Sequence, residues 1–75
     1  MQTDCDLDVS GLSCPLPILR TKKALAQMKS GQILRVLATD PGAARDFPAF
    51  AAQSGNTLLS SVTANGAFEF FLKRK

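Results

Sequence analysis

Residues 32–38 read QILRVLA. A run this short, rich in branched residues and almost entirely apolar, predicts a strand at the centre of a sheet. The chain on either side of it decides what kind of sheet that is. Just upstream, Ser30-Gly31 predicts the left-handed cap of a preceding helix. That helix is expected over residues 15 to about 29, where Ile18, Thr21, Ala24, Leu25 and Met28 fall on one stripe. Arg20, Lys23 and Gln27 lie opposite, with Lys22 and Lys29 at the edge. Further back, Cys5, Leu7 and Val9 alternate with Asp4, Asp6 and Asp8, the period of a half-buried strand that Ser10-Gly11 ends. The same parity assigns Cys5 to the core.

Downstream, Asp40-Pro41 predicts an N-cap followed by proline at the first helical position. Pro48 argues against one continuous helix from there. A turn through residues 42–45 is expected instead, then a helix started by Asp46, with Phe47, Phe50, Ala51 and Ser54 as its inner face and Gly55 as its stop. Residues 57–63 and 67–74 are two strand patterns joined across Asn65-Gly66. Asn-Gly suits a type I′ hairpin, where both turn residues take positive φ. In the last strand Phe68, Phe70 and Leu72 share one face, and Glu69, Phe71 and Lys73 the other.

The order is therefore β-α-β-α-β-β. A strand–helix–strand crossover is right-handed and makes its two strands parallel, while the closing hairpin adds antiparallel ones. Each helix has one apolar stripe to bury. The expected fold is of the α/β class, an α+β two-layer sandwich: a four-stranded mixed sheet with both helices on one face. Parallel pairing also brings Cys14 and Asp40 to the carboxyl edge of the sheet, where open α/β sheets commonly bind ligands.

Composition narrows the chemistry. At 75 residues the chain is expected to be one domain, and 45% hydrophobic with 20% charged content fits a globular protein. No apolar run approaches the ~18 residues of a membrane span. The acidic start MQTDCDLDV lacks the layout of a secretory signal, so a cytoplasmic setting is expected. With two cysteines and no histidine, a zinc site of four cysteines, or of two cysteines and two histidines, cannot be built within one chain, and a histidine base is absent. A Cys5–Cys14 disulfide is arithmetically open, but a reducing compartment argues against it. The net charge is +3, unevenly spread: after Asp8 no acid appears until Asp40, and Arg20, Lys22, Lys23, Lys29 and Arg35 lie between. Such a run is a solvated face or a surface for an acidic partner.

Chemistry centres on residues 11–19, GLSCPLPIL. If Pro15 is the first helical residue, Cys14 is the N-cap, and prolines 15 and 17 give up amides that would lack helical partners anyway. The Leu16 and Ile18 amides would then face an anion at the cap. Helix-end dipoles lower a cysteine pKa, so a stabilised thiolate on Cys14 is expected. Pro15 and Pro17 restrict the backbone on both sides of it. The plainer alternative is a small apolar helix starter, since free cysteine is often buried.

At these residues the chain resembles the TusA/SirA-like family of small sulfur carriers. The resemblance runs through Leu7-Asp8, Gly11-Leu12, Cys14-Pro15-x-Pro17, Lys22-Lys23, Gly31, Asp40-Pro41 and Arg45-Asp46-x-Pro48-x-Phe50 to the closing hairpin. It implies a single TusA/SirA-like domain over residues 1–75, similar in fold to the C-terminal domain of translation initiation factor 3. It further implies that Cys14 carries sulfane sulfur as a persulfide, in a loop and helix start made by Pro15, Leu16, Pro17 and Ile18. Sulfur would arrive from a cysteine desulfurase or rhodanese-type donor and leave for an acceptor thiol, in service of tRNA thiolation, molybdenum-cofactor maturation or sulfur oxidation. Lys22, Lys23 and Asp40 would serve partner docking. Leu16 stands where tRNA-thiolating members carry glutamate, and Ser13 where a basic residue precedes the cysteine.

The first functional expectation is thus a sulfurtransferase acting by persulfide relay, a monomer needing no cofactor or metal. A non-catalytic regulatory module and an RNA-binding domain are the rival readings. The basic end Lys73-Arg74-Lys75 suggests the latter, and the lack of Trp and Tyr for base stacking opposes it.

Overall fold

The computed structural model describes residues 3–75. Its elements follow the expected order: β1 (Cys5–Val9), α1 (Leu16–Ala26), β2 (Ile33–Ala38), α2 (Ala43–Ser54), β3 (Thr57–Ala64) and β4 (Ala67–Lys73). They build one sheet in the order β1-β2-β4-β3, so QILRVLA is central, as its composition demands. β1 runs parallel to β2, with Leu7 opposite Val36 and Val9 opposite Ala38. β2 and β3 both pair antiparallel with β4. The alternation of β2 is strict: Leu34, Val36 and Ala38 are buried, while Ile33, Arg35 and Leu37 are half-buried.

The core lies between the sheet and the helices. Val9, Leu34, Val36, Phe70 and Leu72 from the strands meet Leu25 of α1, Met28 just beyond it, and Ala43, Phe47 and Ala51 of α2. On α1 the expected stripe holds, with Thr21 and Leu25 buried and Ile18 and Ala24 half-buried. Thr21 is the one polar residue among the buried described residues. Its hydroxyl donates to the Pro17 carbonyl at 2.8 Å, which removes the cost of burying it. The hairpin turns across Asn65 (φ 52°) and Gly66 (φ 76°), the two positive angles a type I′ turn requires.

Local signals misplace several boundaries. α1 ends at Ala26, where the Gln27 and Met28 amides bond back to the Ala24 and Leu25 carbonyls in a tightened last turn. Gly31 does take a positive φ of 87°, but in the following turn, where its amide donates to the Arg74 carbonyl at 2.8 Å. It serves the sheet and not the helix.

Pro48 does not divide α2. The helix runs from Ala43 to Ser54 with Gly42, not Asp40, at its N-cap. Asp40 instead opens a turn, its carbonyl accepting from Ala43 N–H at 2.9 Å. Proline inside a helix costs one hydrogen bond, here to the Ala44 carbonyl. Ala44 and Pro48 are both exposed, so water can replace that bond. Continuity places Ala43, Phe47 and Ala51 on one buried stripe, and that burial outweighs the local penalty. Gly55, at φ 81°, ends the helix as expected.

Cys5 is the clearest correction. Its parity matches Leu7 and Val9, yet it is exposed. It opens an edge strand, and exposure falls along β1 from Cys5 to half-buried Leu7 and buried Val9. Period-2 alternation assigns a face; it does not say how far the helices cover that face.

Candidate functional site

Cys14 lies in the loop between β1 and α1, which two contacts tie to the sheet. Leu12 N–H donates to the Val9 carbonyl at 3.2 Å, and Gly11 N–H to the Thr39 hydroxyl at 2.8 Å. The second bond crosses from the end of β1 to the end of β2. The cysteine loop is therefore anchored to the carboxyl edge of the parallel pair, where the strand order places it. Cys14 is exposed and its thiol is free.

The helix start differs from expectation in a way that matters for the sulfur. Pro15, not Cys14, is the N-cap, and Leu16 is the first helical residue. Leu16 N–H donates to the Ser13 carbonyl at 3.0 Å and Leu19 N–H to the Pro15 carbonyl at 3.1 Å. Of the two amides expected to stabilise a thiolate, that of Leu16 is thus already engaged. Cys14 sits one residue outside the helix, in a turn closed over it. Pro15 and Leu16 are exposed, Pro17 is buried and Ile18 half-buried.

The expected lowering of the Cys14 pKa is reversed. Partial desolvation of the sulfur, within a residue exposed as a whole, pushes the thiol up first; the negative charges of Asp46 and Asp40 add to this. Interaction of the thiol with the Asp46 carboxylate favours the protonated form further, and Arg45 alone opposes. Lys22 and Lys23 are not among the charges acting on Cys14. The carboxyl edge does unite Cys14 with Asp40, but Asp46 acts on the sulfur more strongly than Asp40 does. The two carboxylates flank Gly42: a β-carbon there would stand 3.1 Å from Asp40 Oδ2 and 3.2 Å from Asp46 Oδ2. Arg45 Nε lies 3.8 Å from Asp46 Oδ1.

Asp46 and Arg45 are the site residues that residue-by-residue reading missed. Asp46 reads as a helix starter when Pro48 is taken to shorten α2. Once the helix begins at Ala43, Asp46 lies within its first turn instead.

Lys22 and Lys23 are exposed on α1. Lys22 borders a groove of about 540 Å³ between the helices, floored by Ile18, Leu25 and Phe50. Among the described residues its lining contributes the cations Lys22, Arg74 and Lys75 and no acid. Exposed Leu19 lies on its rim. Arg35, by contrast, leaves the basic surface. It pairs with Glu69 at 2.6 Å and with Asp6 at 3.7 Å on the face of the sheet away from the helices.

Both the sequence and the fold are similar to those of known proteins. The family model described as Sulfurtransferase TusA matches residues 6–74. The chain belongs to the TusA family. It is 58% identical over 71 residues to the sulfur carrier protein TusA of Allochromatium vinosum, spanning 95% of this chain and 93% of that one. A putative sulfur carrier protein of Neisseria meningitidis is 56% identical over 69 residues, spanning 92% and 93% of the two chains. The TusA of Pseudomonas entomophila is 35% identical over 72 residues, spanning 96% and 90%. The crystal structure of a SirA-like protein from Desulfitobacterium hafniense superposes with a TM-score of 0.80 at 27% identity, covering 92% of this chain and 95% of that one. As a TusA-family protein the chain is a sulfur carrier, and carriage implies a donor and an acceptor protein. The regulatory-module and RNA-binding readings are not favoured.

Proposed function

We propose that sulfur rides on Cys14 as a persulfide and that the protein is a sulfurtransferase by relay. The observation that carries this reading is an exposed, unpaired thiol held in a proline-framed turn at the carboxyl edge of the sheet. Cys14 loses its proton and attacks the outer sulfur of a donor persulfide. The new Cys14 sulfur–sulfur bond forms as the donor bond breaks, and the donor thiolate leaves and takes up the proton. An acceptor thiolate then attacks the outer sulfur and releases Cys14. Neither step needs a metal, a histidine or a cofactor.

Exposure lets two different proteins reach the same sulfur. The donor we propose is a cysteine desulfurase or rhodanese-type protein, and the acceptor carries a thiol. Lys22 and Lys23 steer the partner, supported by the basic groove that Lys22 borders. Pro15, Leu16, Pro17 and Ile18 present the sulfur, and Asp40 stands beside it. A reducing cytoplasm suits two exposed cysteines that must remain thiols. Among the described residues no helix is long and apolar enough to cross a membrane. A monomer over residues 1–75 suffices for one thiol shared between two partners.

The test is intact-mass measurement after incubation with a persulfide donor and no reductant. Wild type should gain about 32 Da, and Cys14→Ser, which keeps an exposed residue outside the helix, should fold equally well and gain nothing. A Cys14→Ser protein that still gains the mass would move the carrier sulfur elsewhere.

A further inference from the structure

Asn65-Gly66 closes a hairpin, and the sheet register sets that hairpin on the same edge as the cysteine loop. Val9 lies opposite Ala38, Ala38 opposite Phe68, and Phe68 opposite Thr63. One row of residues thus crosses all four strands at the carboxyl edge of the parallel pair. The loop holding Cys14 leaves β1 just beyond that row, and the Asn65-Gly66 turn joins β3 to β4 just beyond it too. β1 and β4 are two strand spacings apart, about 10 Å. The turn and the cysteine loop therefore share one rim of the molecule.

The turn is also open to chemistry. Asn65 and Gly66 are both exposed. The bond that closes a two-residue turn joins the residues on either side, here Ala64 and Ala67, so it leaves the Gly66 amide uncommitted. Gly66 has no side chain to shield its nitrogen, and nothing beyond its chain neighbours stands within 4 Å of where a β-carbon would be. Asn56, the other asparagine of the chain, is held in place. Its side-chain amide donates to the Ser54 hydroxyl at 2.9 Å, and its side-chain carbonyl accepts from Lys75 N–H at 2.9 Å. The stiff, β-branched Thr57 follows it at the start of β3.

We propose that Asn65 is a site of spontaneous deamidation, and that its conversion sets a new carboxylate on the edge that carries Cys14. The Gly66 nitrogen gives up its proton to water and attacks the side-chain carbonyl carbon of Asn65. The new carbon–nitrogen bond closes a cyclic imide as the bond to the side-chain amino group breaks, and that group takes up a proton and leaves as ammonia. Water then opens the imide. Cleavage at the side-chain carbonyl gives aspartate; cleavage at the backbone carbonyl gives isoaspartate, whose main chain runs through the former side chain. Nothing is oxidised or reduced, and water is the only co-reactant. Ring closure needs the turn to open briefly, and an exposed hairpin tip opens at little cost. Either product lowers the net charge of +3 by one. The effect on transfer rests on the carrier reading: a partner steered by Lys22 and Lys23 is acidic, and it meets an added anion at the rim.

The test is prolonged incubation of the full chain at body temperature and mildly alkaline pH, followed by isoelectric focusing and peptide mapping. A form more acidic by one charge should accumulate over days, with aspartate and isoaspartate at residue 65 and neither at residue 56. Asn65→Gln, whose longer side chain closes a ring poorly, should keep its starting charge. A wild-type chain that stays at its starting charge, or that converts at Asn56 first, overturns the proposal. Asn65→Asp reads the consequence at the rim. It should load sulfur from a donor protein several-fold more slowly than wild type at low salt, and added salt should shrink the difference. Equal loading at low salt would overturn the influence on the Cys14 edge. A wild type that deamidates at Asn65 but gains sulfur from no donor would overturn the carrier reading and leave the modification site standing.

Discussion

The ring of Phe47 stacks on that of Phe70, with 4.3 Å between centroids and 8° between planes. Both side chains are fully buried, and the stack joins α2 to the central pair of strands. Phe47 directly follows Asp46, so this contact also fixes the first turn of α2 on the sheet. Phe47→Ala should cost about 3–5 kcal/mol through lost burial and the cavity left behind. That is a large share of the roughly 5–10 kcal/mol available to a domain this small. Urea unfolding checks it: a midpoint near that of wild type would mean that Phe47 does not anchor α2.

Pro48 should be removable with profit to stability. Pro48→Ala restores an amide to the Ala44 carbonyl and a better helix former at an exposed position. The unfolded chain becomes freer at the same time, which takes back part of the gain. A net rise of about 1–2 kcal/mol is expected, read as a higher melting temperature. A fall would show that the ring makes a packing contribution its exposure conceals.

Cys5 and Cys14 should behave differently although both are exposed thiols. Cys5→Ser removes no buried sulfur, so stability should stay within about 0.5 kcal/mol of wild type. Sulfur loading should also persist, since Cys5 lies in a strand and not in the proline-framed turn. Loss of loading in Cys5→Ser, with melting unchanged, would make Cys5 a partner in the relay.

Reversing Lys22 and Lys23 to glutamate should slow loading from a donor protein at low salt, and added salt should shrink the difference from wild type. Neither lysine is among the charges that set Cys14 ionisation. Alkylation of Cys14 by a small reagent should therefore change little. An equal loss in both assays would move the lysines from docking to control of the thiol.

Rising pH should weaken the folded protein through Cys14 itself. Its thiol is held above the ordinary value by desolvation first and by Asp46 and Asp40 next. A raised folded-state pKa contributes stability that is complete below the unfolded value and is lost as pH climbs through the folded one. Cys14→Ser lacks this loss. Melting temperatures of the two proteins should therefore diverge on the alkaline side, with wild type falling faster; parallel curves would refute the raised value.

Element order, sheet composition and the place of Cys14 beside a helix start were all legible in the chain. QILRVLA reads as a central strand, Asn65-Gly66 suits a tight hairpin, and C-P-x-P marks a helix start with a thiol beside it. These readings rest on backbone restrictions and periodicities that act within a few residues. What they misjudged depends on how elements cover one another. Cys5 has core parity but no cover, and Pro48 has a breaker's chemistry but sits opposite a stripe whose burial holds α2 together. The Cys14 environment belongs to the same class. Within a few residues, a helix start promises a stabilised anion; in the folded protein Leu16 N–H turns to Ser13 and the charge of Asp46 on α2 disfavours the thiolate. Position along the chain was enough to put Cys14 beside a helix start, because proline restrictions act within a few residues. Which charges act on its sulfur was settled by the fold, because Asp40 and Asp46 lie far from Cys14 in the chain and come within range of it only when α2 packs onto the sheet.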